Sequence, residues 1–315
     1  MVQRGIWLFP GAPAPRLLAA AEAADEAGLD EFWLGDEGPM RDAFVVLAAA
    51  AARTRRIRLG IGITNPYLRH PVVAAAEMMT VHELSGGRAI LGLGPGGRVA
   101  LAPAGVERRE PLARARAALR TMRAVTRGER SHGYEPEPNP FVAPTLPLYI
   151  GSRAEQFNRL ASAEADGVFL GGVPDSLVDR VVGWAHSVRP IPVALYYAAV
   201  FSADEREAYR PHAMLALGDT PRYTREWFGL SDAQVASASA AYMAGDDAPA
   251  RALISDDILN DFVLAGTPDD VGTSLARRAR HHGVDSVGFT FVTDEPEEAV
   301  ATAAASFKAF DRELA

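Results

Sequence analysis

The sequence contains no cysteine, which removes disulfides, thiolate nucleophiles and cysteine-ligated metals together. That absence fits a reducing cytoplasm. Basic charge is also short: 32 Lys and Arg stand against 40 Asp and Glu, for a net charge of -8. With no run of Lys and Arg, the chain has no electrostatic footprint for nucleic acid. No apolar stretch approaches the roughly 20 residues that span a bilayer, so no membrane is expected. The opening M-V-Q-R-G-I-W-L-F-P has one Arg and a very short apolar stretch before Pro10, and reads as a first strand rather than a signal peptide. There is no internal repeat, and the Ala-rich helices are the only compositional bias. What remains is 315 residues, 48% hydrophobic and 23% charged, enough for one large soluble domain with a substantial core.

Short apolar runs alternate with amphipathic helices, the pattern of repeated βα units and a parallel sheet. The runs fall at 5–9, 31–35, 57–61, 88–93, 148–151, 167–170, 192–198 and 286–291. Helices are expected between them at 15–28, 42–53, 113–126 and 155–164, with a terminal helix from about Glu295. Eight strands in about 315 residues predict a TIM (β/α)8 barrel. Between strands seven and eight lie roughly eighty residues, far more than a βα connection needs, so 202–266 is expected to be an inserted helical segment within a single 1–315 domain. Its Tyr209, Met214, Leu215, Tyr223, Trp227 and Phe228 make it apolar enough to pack, as a lid or an oligomer contact.

In such a barrel the chemistry sits where strands end. Those positions are Pro10-Gly11, Asp36-Glu37, Gly62 to Tyr67, Gly94 to Gly97, Gly151 to Arg153, and Gly171-Gly172. Most carry glycine, which lets backbone approach a flat or anionic ligand. Gly151-Ser152 and Gly171-Gly172 read as a phosphate site, with free N–H groups before a helix, a hydroxyl and Arg153 as charge partner; the alternative is a pair of tight βα turns. Gly92 to Gly97 also satisfies G-x-G-x-x-G, but Pro95 interrupts and no helix follows at once, so a Rossmann site is not expected.

Gly62-Ile63-Thr64-Asn65-Pro66-Tyr67 with Arg69-His70-Pro71, Glu83-Leu84-Ser85-Gly86-Gly87-Arg88, and Gly92 to Gly97 resemble the bacterial luciferase-like superfamily. Within it they are most similar to the branch that uses coenzyme F420, including methylenetetrahydromethanopterin reductase. Gly28-Leu29-Asp30, Ala165-Asp166-Gly167 and Ala265-Gly266-Thr267-Pro268 follow in family order, so the resemblance covers nearly the whole chain.

The resemblance implies a deazaflavin or flavin ring lying over a bulge at the end of strand three, with a non-prolyl cis peptide at or next to Gly62-Ile63. It implies a cofactor site built from Asp36, Gly62, Ile63, Thr64, Asn65, Gly94, Pro95, Gly96, Gly151, Ser152, Arg153, Gly171 and Gly172, the phosphate falling on the two glycine pairs. The chain departs from its relatives at two acidic positions, where it has Trp7 and Gly97. Glu37 is then the first acid/base candidate and His70 the second, although a histidine after a turn also serves structurally. Trp7 reads equally as an aromatic wall for substrate and as core; Tyr67 and Tyr196 are further substrate candidates, one of Tyr196 and Tyr197 facing the mouth. His281-His282 reads as a solvated helix end, and no metal is implied.

Three activities are open at this point. One is an F420-dependent oxidoreductase moving a hydride between the deazaflavin C5 and an imine- or enone-like small molecule. Another is an FMN-dependent monooxygenase, which would need a flavin reductase partner. The third is a non-catalytic flavin or F420 carrier. A homodimer is expected from the resemblance.

Overall fold

The computed structural model describes residues 2–131 and 133–315, the side chains of Arg98 and Val99 excepted. Among the described residues the strands are β1 (Gln3–Leu8), β2 (Glu31–Leu34), β3 (Arg58–Thr64), β4 (Ala89–Leu93), β5 (Leu148–Gly151), β6 (Gly167–Gly171), β7 (Val193–Val200), β8 (Val263–Ala265) and β9 (Ser286–Phe291). Every pairing is parallel. The ladder runs from β1 through β7 in order and closes through β9 back to β1, which makes an eight-stranded TIM barrel. β8 lies outside that ring, paired only with Ala198 to Val200 at the upper end of β7. Three residues carry too little periodicity to announce a strand, so the sequence reading has eight where the structure has nine.

Strand alternation sorts the two faces. In β2, Phe32 and Leu34 join the layer between strands and helices, while Trp33 turns into the barrel. Inside, Trp33 packs with Ile90, Tyr149, Phe169, Ala194 and Tyr196, and Trp7 covers them from above. The floor is a buried carboxylate: Glu31 accepts from Trp33 Nε1, Tyr196 OH and Ser286 Oγ, each at 2.8 Å, and pairs with Arg58. A charge that far from water is tolerable because it is so fully hydrogen-bonded. The sequence reading did not single out Glu31.

The insertion forms five helices, Ala203–Gly218, Arg222–Trp227, Asp232–Met243, Ala248–Leu253 and Asp256–Phe262. Three begin at serine caps: Ser202 accepts from Glu205 N, Ser231 forms a capping box with Gln234, and Ser255 accepts from Ile258 N. Met214, Leu217, Val235, Ile258, Leu259 and Phe262 make a separate apolar cluster resting on Ala198 and Val200. No helix among the described residues is long and apolar enough to cross a membrane.

Candidate active site at the carboxyl end of the barrel

The site is built on an irregularity. β3 slips its register against β4 between Ile61 and Thr64, and the Gly62–Ile63 peptide in that slip is cis, where the family resemblance placed it. Trp7 Nε1 donates to the Gly62 carbonyl, and a Cβ at Gly62 would lie 3.0 Å from Trp7 Cδ1 and 3.1 Å from Trp33 Cε3. Two indoles thus support the glycine from below, and position 62 has room for nothing larger. The Ile63 side chain lies across β4 and β5: Cβ atoms at Gly92, Gly94 or Gly151 would each collide with it, at 2.7 Å for Gly151. These glycines, read as points of ligand approach, first of all make room for Ile63. The result is a raised ledge, Gly62-Ile63-Thr64, with a half-exposed isoleucine at its crest.

Polar groups flank the ledge. Thr64 Oγ1 donates to Asp36 at 2.6 Å, and Arg69 lies 3.6 Å from the same carboxylate. Asp36 is therefore held by the end of β3 and by the turn that follows it. Buried Asn65 accepts from Tyr67 N at 3.1 Å and Leu68 N at 3.0 Å, which fixes the turn after the ledge. Gly96, at φ 76°, packs on Tyr67 and Leu101, beside Pro95 at the same turn. Tyr67 donates to Arg109 O at 2.7 Å, with the Arg114 guanidinium 5.3 Å from its ring.

Glu37 differs from Asp36. Its chain folds back over the turn so that a Cβ at Gly35 would meet Glu37 Cγ at 3.1 Å and Trp7 Cζ2 at 2.7 Å. Burial first, then the charges of Asp36 and Asp219, push its carboxyl up to about 7 against a smaller opposing effect of Arg153. A carboxyl raised in this way can hold a proton well above the usual carboxylate range, the condition for general acid–base work. Asp219 comes from the insertion, a residue the sequence reading missed because nothing in an irregular 80-residue segment ties it to a strand end. A Cβ at Gly97 would lie 3.3 Å from Asp219 Oδ2.

The two glycine turns after β5 and β6 are adjacent, and Arg153 joins them. Its Nε donates to Gly171 O at 2.9 Å, its Nη1 to Ala216 O in the insertion at 2.7 Å, and Tyr223 OH donates back to Arg153 O at 2.7 Å. Arg153 is thus partly committed to carbonyls rather than free for an anion. At Gly172, φ 62°, an added Cβ would lie 3.3 Å from Ala216 Cβ. Ser152 accepts from Ala154 N at 3.2 Å, and the helix Glu155–Glu164 starts without any side-chain cap, which leaves first-turn N–H groups for an anion.

Three sequence expectations are corrected. Tyr196 is fully buried and bonds Glu31 on the barrel floor, so it does not meet a substrate at the mouth; β7 runs on to Val200, which sinks residue 196 four positions below the strand end. His70 is exposed and its Nδ1 accepts from Val72 N at 3.3 Å, making it the cap of the helix Pro71–Leu84 rather than a proton carrier. His282 is buried, not solvated: Nδ1 lies 2.6 Å from Asp179 and Nε2 3.2 Å from Asp175. A cavity of about 380 Å³ lined by Arg58, Tyr149, Asp285 and Ser286 opens at the other end of the barrel, beside the Glu31 floor and away from these groups.

The carboxyl end of the parallel (β/α)8 barrel thus carries a ledge at β3, adjacent glycine turns after β5 and β6, and the Asp36-Glu37 pair after β2. The chain belongs to the luciferase-like monooxygenase family, whose profile matches residues 2–286, and it is an oxidoreductase enzyme. It is 28% identical over 286 residues to the 5,10-methylenetetrahydromethanopterin reductase of Methanolobus tindarius, covering 84% of this chain and 87% of that one. It is 30% identical over 250 residues to the 4-hydroxyprotoasukamycin monooxygenase of Streptomyces nodosus subsp. asukaensis, covering 70% and 67%. The coenzyme F420-dependent tetrahydromethanopterin reductase of Methanopyrus kandleri superposes with a TM-score of 0.80 at 24% identity, covering 96% of this chain and 97% of that one, and shares its fold.

Proposed function

We propose that this enzyme is an F420-dependent oxidoreductase acting on a small organic molecule with a reducible C=N or conjugated C=C bond. The observation that carries the proposal is the Gly62-Ile63-Thr64 ledge where β3 slips its register, with Trp7 bonded to the Gly62 carbonyl and set against the Gly35 turn that carries Glu37. The residues fit the cofactor: the ledge and the Ile63 crest offer a flat support, Thr64 and Asp36 lie at its edge, and the uncapped helix Glu155–Glu164 with Gly151-Ser152 and Gly171-Gly172 offers N–H groups to a phosphate. F420, when bound, supplies a hydride at C5. Trp7 holds the Gly62 carbonyl and fixes the ledge, while Glu37 gives a proton to the acceptor's basic atom or takes one back in reverse. Sequence similarity over most of the chain to reductases named for a methanopterin substrate supports the hydride reaction. Glu37 also argues against a passive carrier, since a carrier has no use for a proton poised at neutral pH.

A second reading, an FMN-dependent monooxygenase served by a flavin reductase, is favoured by the similarity to the Streptomyces monooxygenase. The remaining proposals are a cytoplasmic homodimer acting on a free small molecule. Titrating the purified protein with F420 and, separately, with FMN while following ring fluorescence tests the proposal. Micromolar F420 binding with weaker FMN binding is expected; preference for FMN would move the assignment to the monooxygenase, and binding of neither would overturn it.

A further inference from the structure

Two neighbouring histidines at the end of the helix Pro268–His282 meet an aspartate from the first turn of the helix Val178–Ala185. His281, His282 and Asp179 each bring one ligand-type atom within 4.8 Å of the other two. His281 Nε2 lies 3.4 Å from Asp179 Oδ2, and His282 Nδ1 lies 2.6 Å from Asp179 Oδ1. Two atoms that are each about 2.1 Å from a tetrahedral zinc stand about 3.4 Å apart. The first pair already has that spacing, and the second reaches it by a small movement of an exposed aspartate. Adjacent histidines alone do not announce such a site, because the third ligand comes from a different helix, far away in the sequence.

The buried histidine is oriented as a metal ligand is. Its side chain is 3% exposed, and Nε2 lies 3.2 Å from Asp175 Oδ1. Asp175 in turn accepts from Tyr197 OH at 2.7 Å and pairs with Arg278 at 2.8 Å. A carboxylate held behind a histidine takes the proton of one ring nitrogen, fixes the ring and presents the other nitrogen to an ion. Arg278 balances the charge of Asp175, so the charge of Asp179 meets the cation, and the carboxyl end of the helix Pro268–His282 adds a negative pole. We propose that His281, His282 and Asp179 form a surface site for a divalent transition-metal ion of the zinc class. Two imidazoles and one carboxylate suit zinc better than magnesium or calcium, which take oxygen ligands. His281 and Asp179 are exposed, so the fourth position of the ion faces solvent and takes water. On binding, the ion displaces to solvent the proton of the His282–Asp179 hydrogen bond, and coordination then ties together the two helices that this bond otherwise joins.

Tag-free protein stripped of metal with a chelator is titrated with zinc chloride by isothermal calorimetry. One ion per chain should bind with micromolar or tighter affinity. His281→Ala and Asp179→Asn change exposed side chains, so the fold is not at risk, and each should weaken zinc binding at least about tenfold. In protein labelled with 15N-histidine, saturating zinc should move the ring signals of His281 and His282, identified by their loss in His281→Ala and His282→Gln. Millimolar magnesium should not compete. Absence of zinc binding to the folded protein up to about 100 µM would overturn the site, since ligands already gathered cost little to organise. Unchanged affinity in both exposed variants would place the ion elsewhere on the chain and overturn it equally.

Discussion

Ile63 and the glycines around it behave as one packing unit. A methyl at Gly151 would meet Ile63 Cδ1 and Cγ2 at 2.7 Å and nothing else closer than ordinary contact. Gly151→Ala should therefore cost about 1–3 kcal/mol, the usual range for overpacking, and much less in an Ile63→Ala background. Urea unfolding of the four proteins in that double-mutant cycle measures the coupling. Glu37 gives a second prediction at this scale. As proton donor it is active when protonated, so the rate of acceptor reduction should fall as pH rises through about 7, and Glu37→Gln should lower it about 100-fold and remove that limb. A pH-rate profile with the same limb in the variant would exclude Glu37 as donor. Glu37 stood out in the sequence through the family resemblance, because the acids of relatives are replaced here by Trp7 and Gly97 while the Asp36-Glu37 pair remains at a strand end. His70 was misread because a histidine before a proline-initiated helix looks the same whether it caps or catalyses.

Between the helices Val178–Ala185 and Pro268–His282, His282 works as a latch. Burial lowers its proton affinity, but hydrogen bonds to Asp175 and Asp179 more than compensate and raise it above the ordinary value. Asp175 is held well below the usual carboxylate range against burial, by His282, Tyr197 and Arg278. A histidine whose folded affinity is raised contributes stability that is full below about 6.5 and is lost as pH rises through its folded value. The melting temperature should accordingly decline above about pH 6.5, and the decline should flatten in His282→Gln; calorimetry across that range decides it. Strand ends were legible at this scale because glycines and turn residues punctuate them. Depth was not: alternation correctly turned Tyr196 inward, but the true end of β7, two residues further on, decides whether an inward side chain meets the mouth or the floor.

At the scale of the molecule, the barrel and the insertion have separate apolar cores. The order of strands and the presence of the insertion followed from periodicity and length, whereas what the insertion touches depends on contacts between residues far apart in sequence, such as Arg153 with Ala216. Separate cores permit separate opening, so amides of 203–262 should exchange with solvent faster than those of β1 to β6, and saturating F420 should slow them. Hydrogen-exchange mass spectrometry with and without cofactor reads both effects; equal protection of the two regions would contradict the independence. The bridge that Arg153 makes between the turns after β5 and β6 and the end of the helix Ala203–Gly218 has a thermodynamic corollary. An anion bound at those turns and a molecule resting on the insertion each bias the same contact, so whatever factor one lends to the other's affinity must be returned in equal measure.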